Sequence, residues 1–350
     1  MKRKLLSIFY FTIAKVGVFQ LFYWLNRRKK IVLTYHNIIP DHLFDDTPQL
    51  GVSHSERIFE NHIRFIKRRF DSKINERVLI TFDDGYKNQC EIAAKILQKN
   101  KLSATYFVSF KLLVDGSPLI IDQVMQWVSY VPAGSYQILD NLYYITDDNR
   151  HHVGSLLYVK LLKNYPLWDV IENSLNQAYR FDALKIDSEL KRLRFEPITP
   201  EDLVALKTAG HRVAAHSWDH RPLSTLPLEQ QRKDFSLSKK YADQYCNSSL
   251  YSYPYGGKDE VSPETASLCA EYGFTAGYMN TPDFPGWQQV EKQFQYTRMS
   301  LPNNNDIYAL DAKLSGFECF CKNAIKILKK LISRSHFNSP GLQKHERDNQ

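Results

Sequence analysis

Val78-Leu79-Ile80-Thr81-Phe82-Asp83-Asp84-Gly85 is a short apolar run halted by two carboxylates and a glycine. Its length and its β-branched and aromatic content predict a strand. Adjacent carboxylates at a strand end repel one another and lose solvation, so they call for a compensating cation; the alternative is a solvated Asp-Gly turn. Working outward, the runs Ile31 to Tyr35, Ala104 to Val108, Arg212 to Ala215, Leu250 to Ser252 and Phe274 to Tyr278 predict further strands. Ile58, Phe59, His62, Ile63, Phe65 and Ile66 recur at helical spacing, and another helix is predicted from about Asn88 to Leu97. Thr199-Pro200-Glu201-Asp202 and Ser262-Pro263-Glu264 open two more helices, which Gly210 and Gly273 close. Strands and helices in alternation predict an α/β fold with a mainly parallel sheet or barrel, of about six or seven strands. The sequence shows no internal repeat and no low-complexity tract.

The charge of this 350-residue chain is unevenly placed, although its 43% apolar and 24% charged content is that of a globular protein. Residues 1–30 hold eight Lys or Arg and no acid, and residues 320–350 hold seven against Glu346 and Asp348. The net +8 therefore leaves the middle of the chain at −5. That argues against a basic nucleic-acid groove in the globular part and points the termini at anionic surfaces. Five cysteines with no zinc-knuckle spacing argue against a disulfide scaffold.

Residues 5–25, LLSIFYFTIAKVGVFQLFYWL, are long enough to span a bilayer, but Lys15 and Gln20 are costly in hydrocarbon. The segment reads as an interfacial helix, a helix docked on the protein, or a span. Its aromatic content favours the interface, so the expectation is attachment to an anionic membrane surface without crossing. No small-residue cleavage site follows, so no cleavable signal peptide is expected. Residues 110–195 break the strand–helix rhythm and read as an insertion with a helical stretch near Leu156–Leu162. After Gly316, Ile325, Ile327, Leu328, Leu331 and Ile332 among lysines predict a basic amphipathic helix, followed by a polar end expected to be disordered.

Two other segments stand after predicted strands. His216-Ser217-Trp218-Asp219-His220 places two imidazoles four residues apart, which converge on one metal if the segment turns tightly; the alternative is a pair of satisfied structural histidines. Tyr253-Pro254-Tyr255-Gly256-Gly257 reads as a turn. Together, two histidines and one carboxylate make a three-ligand site with a position open for water, and the second carboxylate is free to take a proton. Gathering at strand C-termini is where a barrel builds its active site.

TFDDG, HSWDH and YPYG, in that order, resemble the three principal motifs of the polysaccharide deacetylases, carbohydrate esterase family 4 with the NodB-homology domain. The opening strand with Tyr35-His36-Asn37 is similar to the start of members found with bacterial cell-surface polysaccharide machinery. The resemblance covers roughly 31–109 and 198–301. It implies a distorted (β/α) barrel over 31–109 and 196–319, with 1–30, the insertion 110–195 and the tail 320–350 outside it. It also implies a divalent metal, usually zinc, with cobalt and nickel as alternatives. Asp84, His216 and His220 would be ligands, Asp83 the general base, and Pro254 with the backbone N–H of Tyr255 part of the oxyanion site. The implied reaction removes an acetyl group from an amino sugar of a surface polysaccharide or its lipid-linked precursor. Alternatives are another deacylation of a lipid-linked sugar, such as deformylation, and a catalytically degenerate barrel that only binds saccharide. The implied partner is the acetylated carbohydrate, with no nucleic acid and no obligate protein partner. Two departures stand out. The arginine that orients the base in many relatives is replaced by Ser252, and Arg298 is either its substitute or a surface residue. The family's late histidine acid is not recognisable, which makes His36 the candidate for that role or else a structural histidine.

Overall fold

The computed structural model describes residues 2–47, 53–116, 118–163, 168–257, 259–281 and 293–337, so the polar end expected to be disordered lies outside the described residues. Seven strands, β1 (Ile31–Tyr35), β2 (Val78–Phe82), β3 (Ala104–Val108), β4 (Arg212–Ala215), β5 (Leu250–Ser252), β6 (Ala276–Asn280) and β7 (Tyr296–Ser300), close into a barrel. Every pairing is parallel, each strand lies beside the next in the chain, and β7 returns to β1 through Leu33 opposite Met299. Parallel neighbours require a crossover between them, and these are helices such as Glu56–Phe70, Pro200–Thr208 and Pro263–Glu271. The last two begin at Thr199 and Ser262, whose side chains accept the N–H of Asp202 and Thr265, with Pro at the first helical position. β6 starts two residues later than the sequence suggests, because Phe274 packs against Tyr251 and Phe235 before the strand begins. The helix expected at Asn88–Leu97 is a wide π-turn over Gln89–Ala94, followed by an α-turn over Lys95–Lys99.

Strand alternation sorts the barrel into an inside and an outside. One set of positions stacks Tyr35 on Phe82 and Phe82 on Tyr106, with Phe59 of the helix Glu56–Phe70 packed edge-on. The opposite set fills the interior. Phe107, Ala214, Ala276 and Tyr278 cluster there, with Val32, Leu79, Leu250 and Tyr296 packed against them. Between the level of Val32 and Leu79 and that of Phe107 come Thr34, Thr81 and Thr105, in register with one another and fully buried. These small side chains leave room for the long side chain of Arg298.

Residues 110–195 carry a second hydrophobic cluster that packs on the barrel within the same compact unit. A hairpin of Gly134–Ile138 with Asn141–Ile145 and the helices Ile120–Tyr130, Arg150–Lys163 and Trp168–Ala178 enclose Trp127, Ile138, Ile145, Leu157, Trp168 and Ile171. The chain divides into two compact units, Arg28–Ile307 and Met1–Arg27 with Tyr308–Gln350. In the second, residues 5–25 are not one helix. α1 (Lys2–Lys15) and α2 (Val18–Leu25) meet at a 73° bend, where Gly17 adopts a left-handed conformation. The expected basic helix follows Gly316 as Phe317–Phe337.

Candidate active site

Adjacent residues on a strand point to opposite faces, so Asp83 and Asp84 reach the same site only if the backbone turns between them. It does: Asp84 has a φ of 81° and Gly85 a φ of 97°. Of the seven described non-glycine residues with positive φ, four lie in the three segments singled out above: Asp84, Ser217, His220 and Tyr255. Conformations of this kind cost of order 1–3 kcal/mol each and persist where surrounding bonds over-determine them. The Asp83 and Asp84 backbone is pinned by Asp83 N–H to Tyr35 O (3.1 Å) and by Ser109 N–H to Asp84 O (3.1 Å). The loop after β4 is held by Asp234, which accepts the N–H groups of Trp218 (3.1 Å) and Asp219 (3.3 Å), while Ser217 Oγ accepts from His220 N–H at 2.8 Å. The turn after β5 is locked where Asn280 N–H donates to Gly256 O at 2.8 Å; a Cβ on Gly256 would sit 2.5 Å from that nitrogen.

These loops bring Asp84, His216 and His220 together, with one ligand-type atom from each lying within 4.8 Å of the others. Nε2 of His216 is 3.5 Å and Nε2 of His220 is 3.3 Å from the same oxygen, Asp84 Oδ1. His216 Nδ1 donates to Ser252 O at 2.9 Å, which fixes the tautomer and leaves Nε2 as a lone-pair donor. Asp84 Oδ1 is buried with no hydrogen-bond partner. A buried orphan carboxylate oxygen between two imidazole nitrogens is a donor set that suits a divalent cation, and the residues present therefore fit one.

Asp83 stands beside this triad in different company. Arg298 Nη1 donates to Asp83 Oδ1 at 2.7 Å and Nη2 to Oδ2 at 2.6 Å, while Nη2 also reaches Ser252 Oγ at 2.7 Å. Arg298 is fully buried inside the barrel and further anchored by Met279 O and Thr81 Oγ1, so it is no surface residue. Ser252, at the position of the missing family arginine, thus shares the arginine that β7 supplies. Burial alone would raise the Asp83 pKa, but Arg298 and His216 carry it below the ordinary carboxylate range. Asp84 is likewise pushed up by burial and then held well below that range by the imidazoles of His216 and His220. Burial lowers the pKa of His216 and the two aspartates more than restore it, leaving it raised.

A pocket of about 160 Å³ opens over these groups, lined by His36, Asp83, Asp84, His216, His220 and Tyr255 among others. His36 Nε2 lies 4.0 Å from Asp83 Oδ2, and burial lowers the His36 pKa, so it is neutral at rest. Pro254 does not line the pocket; its carbonyl accepts Gly256 N–H and shapes the turn that presents Tyr255. The Tyr255 ring packs 5.0 Å from that of His220 and 6.0 Å from that of Tyr158, a residue of the inserted body.

The far wall was not read from the sequence. Residues 110–195 contribute Ile121, Asp122, Met125, Tyr158 and Arg194 to the pocket. Arg194 Nη2 donates to Asp122 Oδ1 at 2.6 Å, Tyr86 OH donates to Asp122 Oδ2, and Arg194 Nε and Nη1 are buried without a hydrogen-bond partner. Asp122 and Arg194 lie 72 residues apart, and no local motif announces them. Only Tyr86, next to the Asp-Asp-Gly turn, carries a positional hint.

A family model described as polysaccharide deacetylase matches residues 71–128 and 170–277, which takes in all three motif segments but neither His36 nor Arg298. Among solved structures, the chain is similar to the Streptococcus pyogenes deacetylase PplD in complex with acetate, at 15% identity and a TM-score of 0.48 over 79% of this chain and 93% of that one. IcaB from Ammonifex degensii is similar at 14% identity and a TM-score of 0.48, over 82% and 97%. The BpsB deacetylase domain from Bordetella bronchiseptica follows at 17% identity and 0.40, over 77% and 95%. No curated protein matches the sequence.

Proposed function

From the premise that the barrel of this chain is a polysaccharide deacetylase domain, and the chain a carbohydrate deacetylase, we propose that it hydrolyses the N-acetyl group of an amino sugar in a bacterial surface polysaccharide or its lipid-linked precursor. One observation carries the reading: a buried Asp84–His216–His220 triad stands beside a second carboxylate that Arg298 holds ionised and oriented. A binding module needs no such division of labour between two neighbouring aspartates.

Asp84, His216 and His220 would hold a divalent ion, zinc, cobalt or nickel; such an ion supplies Lewis-acid polarisation and lowers the pKa of water. The rest falls to the chain. Asp83 accepts the proton of the attacking water on a carboxylate oxygen whose orientation Arg298 sets. His36, neutral and 4.0 Å from Asp83 Oδ2, receives that proton and passes it through Nε2 to the departing amine once substrate tightens the pocket. The backbone N–H of Tyr255, in a left-handed turn at the pocket wall, would donate to the developing oxyanion. Ser252, one of the two departures that suggested a degenerate barrel, is accounted for by its bond from Arg298; the other, the missing late histidine, is met in this reading by His36.

The test is metal analysis of the purified chain with acetate release measured on a panel of N-acetylated, O-acetylated and N-formylated amino sugars, free and lipid-linked. Stoichiometric metal with acetate from an N-acetylated member is the expected result. Metal without release of any acyl group would restore the binding-only barrel, and formate release alone would make the enzyme a deformylase.

A further inference from the structure

The sequence treats the two ends of the chain separately, and the structure folds them into one unit. Phe317, the first residue of the C-terminal helix, lies at its centre, with ring centroids 5.5 Å from Phe19 and 5.3 Å from Phe22. Phe22 also packs on Phe320 at 5.3 Å, and Tyr10 packs on Phe19 at 6.4 Å. Polar bonds fix the pairing: Tyr23 OH donates to Asp311 at 2.9 Å and Asn26 Nδ2 to Ser315 O at 2.9 Å. α2 is therefore tied lengthwise to the helix Ile307–Ser315.

With that small core closed, the outward faces are apolar. Leu5, Ile8, Val16, Leu21, Trp24 and Leu25 on the N-terminal side, and Ile325, Ile327 and Leu328 on the C-terminal helix, are all about half exposed or more. Thirteen of the 21 large apolar residues exposed among those described belong to this unit, far more than scattered surface residues would give. Charge follows the same division. Residues 1–27 and 308–350 together carry thirteen basic and four acidic residues, while residues 28–307 are within one charge of neutral. Lys15 and Arg27, and Lys322, Lys326 and Lys329, are exposed beside the apolar positions.

We propose that the joined termini form a single membrane-docking unit, in which α1, α2 and the C-terminal helix insert their apolar faces together into the interface of an anionic bilayer without crossing it. Positive charge interleaved with exposed leucine, isoleucine and tryptophan matches an anionic lipid surface, which offers apolar depth and negative headgroups at once. A crossing is disfavoured by the 73° bend at Gly17, by Lys15 beside it, and by the Tyr23–Asp311 bond, which would place a carboxylate at hydrocarbon depth. No single described helix is long and apolar enough to cross a membrane.

The experiment compares flotation of the full chain with phosphatidylcholine vesicles, with and without phosphatidylglycerol, against the double variant Ile325→Asp/Leu328→Asp. Both positions are exposed, so the variant keeps its fold, which circular dichroism verifies. The expected result is binding to the phosphatidylglycerol vesicles that weakens with salt, is reduced about tenfold or more by the C-terminal substitutions alone, and is stripped by alkaline carbonate. Undiminished binding of the variant would confine the contact to α1 and α2 and overturn the joint unit. Resistance to carbonate would overturn interfacial docking in favour of a span. A dimer in solution with no vesicle binding would show that a second copy covers this face instead.

Discussion

Arg298 and Asp83 lie 215 residues apart and meet through two parallel hydrogen bonds of 2.7 and 2.6 Å inside the barrel. The arginine rises from β7 past a layer of buried threonines, and the aspartate descends from the end of β2. Because the barrel closes β7 against β1, which itself pairs with β2, the last strand can reach the Asp83-Asp84 segment. The guanidinium therefore comes from β7 and not from the end of β5, where Ser252 stands and accepts from it.

Replacing Arg298 separates its charge from its fork. Arg298→Lys keeps a cation but cannot hold both Asp83 oxygens, so kcat should fall about 10- to 100-fold while KM and metal content stay near wild type. Arg298→Met leaves a buried carboxylate without its partner and should cost roughly 3–5 kcal/mol in urea unfolding. An unchanged urea midpoint in Arg298→Met would show that Asp83 is compensated by some other group.

The two aspartates should part company under mutation. Asp83→Asn is expected to retain metal and lose about two to four orders of magnitude in kcat, the usual reach of general acid–base catalysis. His216→Ala and His220→Ala should lose metal and activity together, since each removes one of the three proposed ligands, Asp84, His216 and His220. Elemental analysis alongside acetate release reads both. Parallel loss of metal in Asp83→Asn would mean that the roles of Asp83 and Asp84 are reversed.

Arg194 has buried, unpartnered Nε and Nη1 in a wall of the pocket, which is an incomplete arrangement until a substrate oxygen arrives. A hydrogen bond to a charged donor is worth about 1.5–3 kcal/mol. Arg194→Lys should accordingly raise KM by about tenfold or more with a smaller effect on kcat, measured by steady-state acetate release. An unaltered KM with lowered stability would reduce Arg194 to a structural partner of Asp122.

What the sequence disclosed divides along physical lines. Strands β1 to β5 and the helix starts at Thr199 and Ser262 were legible because periodicity, capping residues and glycine stops are local signals. The three motif segments were legible for the same reason. That Asp83 and Asp84 serve one site was legible with them, but the backbone turn that brings the two together was not, because it rests on a positive φ at Asp84 that tertiary bonds enforce. Nor was the Asp122–Arg194 wall, which is assembled by tertiary packing of the inserted body. The N-terminal apolar run misled in a third way: its hydropathy continues through Gly17, where the backbone does not.

A last prediction concerns acid stability away from the pocket. His62 lies buried on the helix Glu56–Phe70, its Nδ1 3.3 Å from Tyr35 OH and its ring 5.6 Å from that of His54. Burial pushes the Tyr35 pKa up, so the phenol keeps its proton and donates it to His62 Nδ1. Burial, and then the neighbouring His54, push the His62 pKa down to about 3. The unfolded chain returns it to about 6.5, so the unfolded state binds the extra proton first as the pH falls. The stability associated with neutral His62 is therefore fully present above pH about 6.5 and drains away as the pH drops towards about 3. Over that window each pH step of about one unit removes about 1.4 kcal/mol, so by pH about 5 the loss should amount to about 2 kcal/mol. His62→Gln preserves an acceptor for Tyr35 and cannot titrate. Urea unfolding at neutral pH and near pH 5 should show the gap between wild type and this variant closing by about that amount. Other groups titrate in both proteins and cancel in the difference. Parallel pH profiles for the two would mean that His62 already takes up its proton in the folded state, and that its pocket admits water.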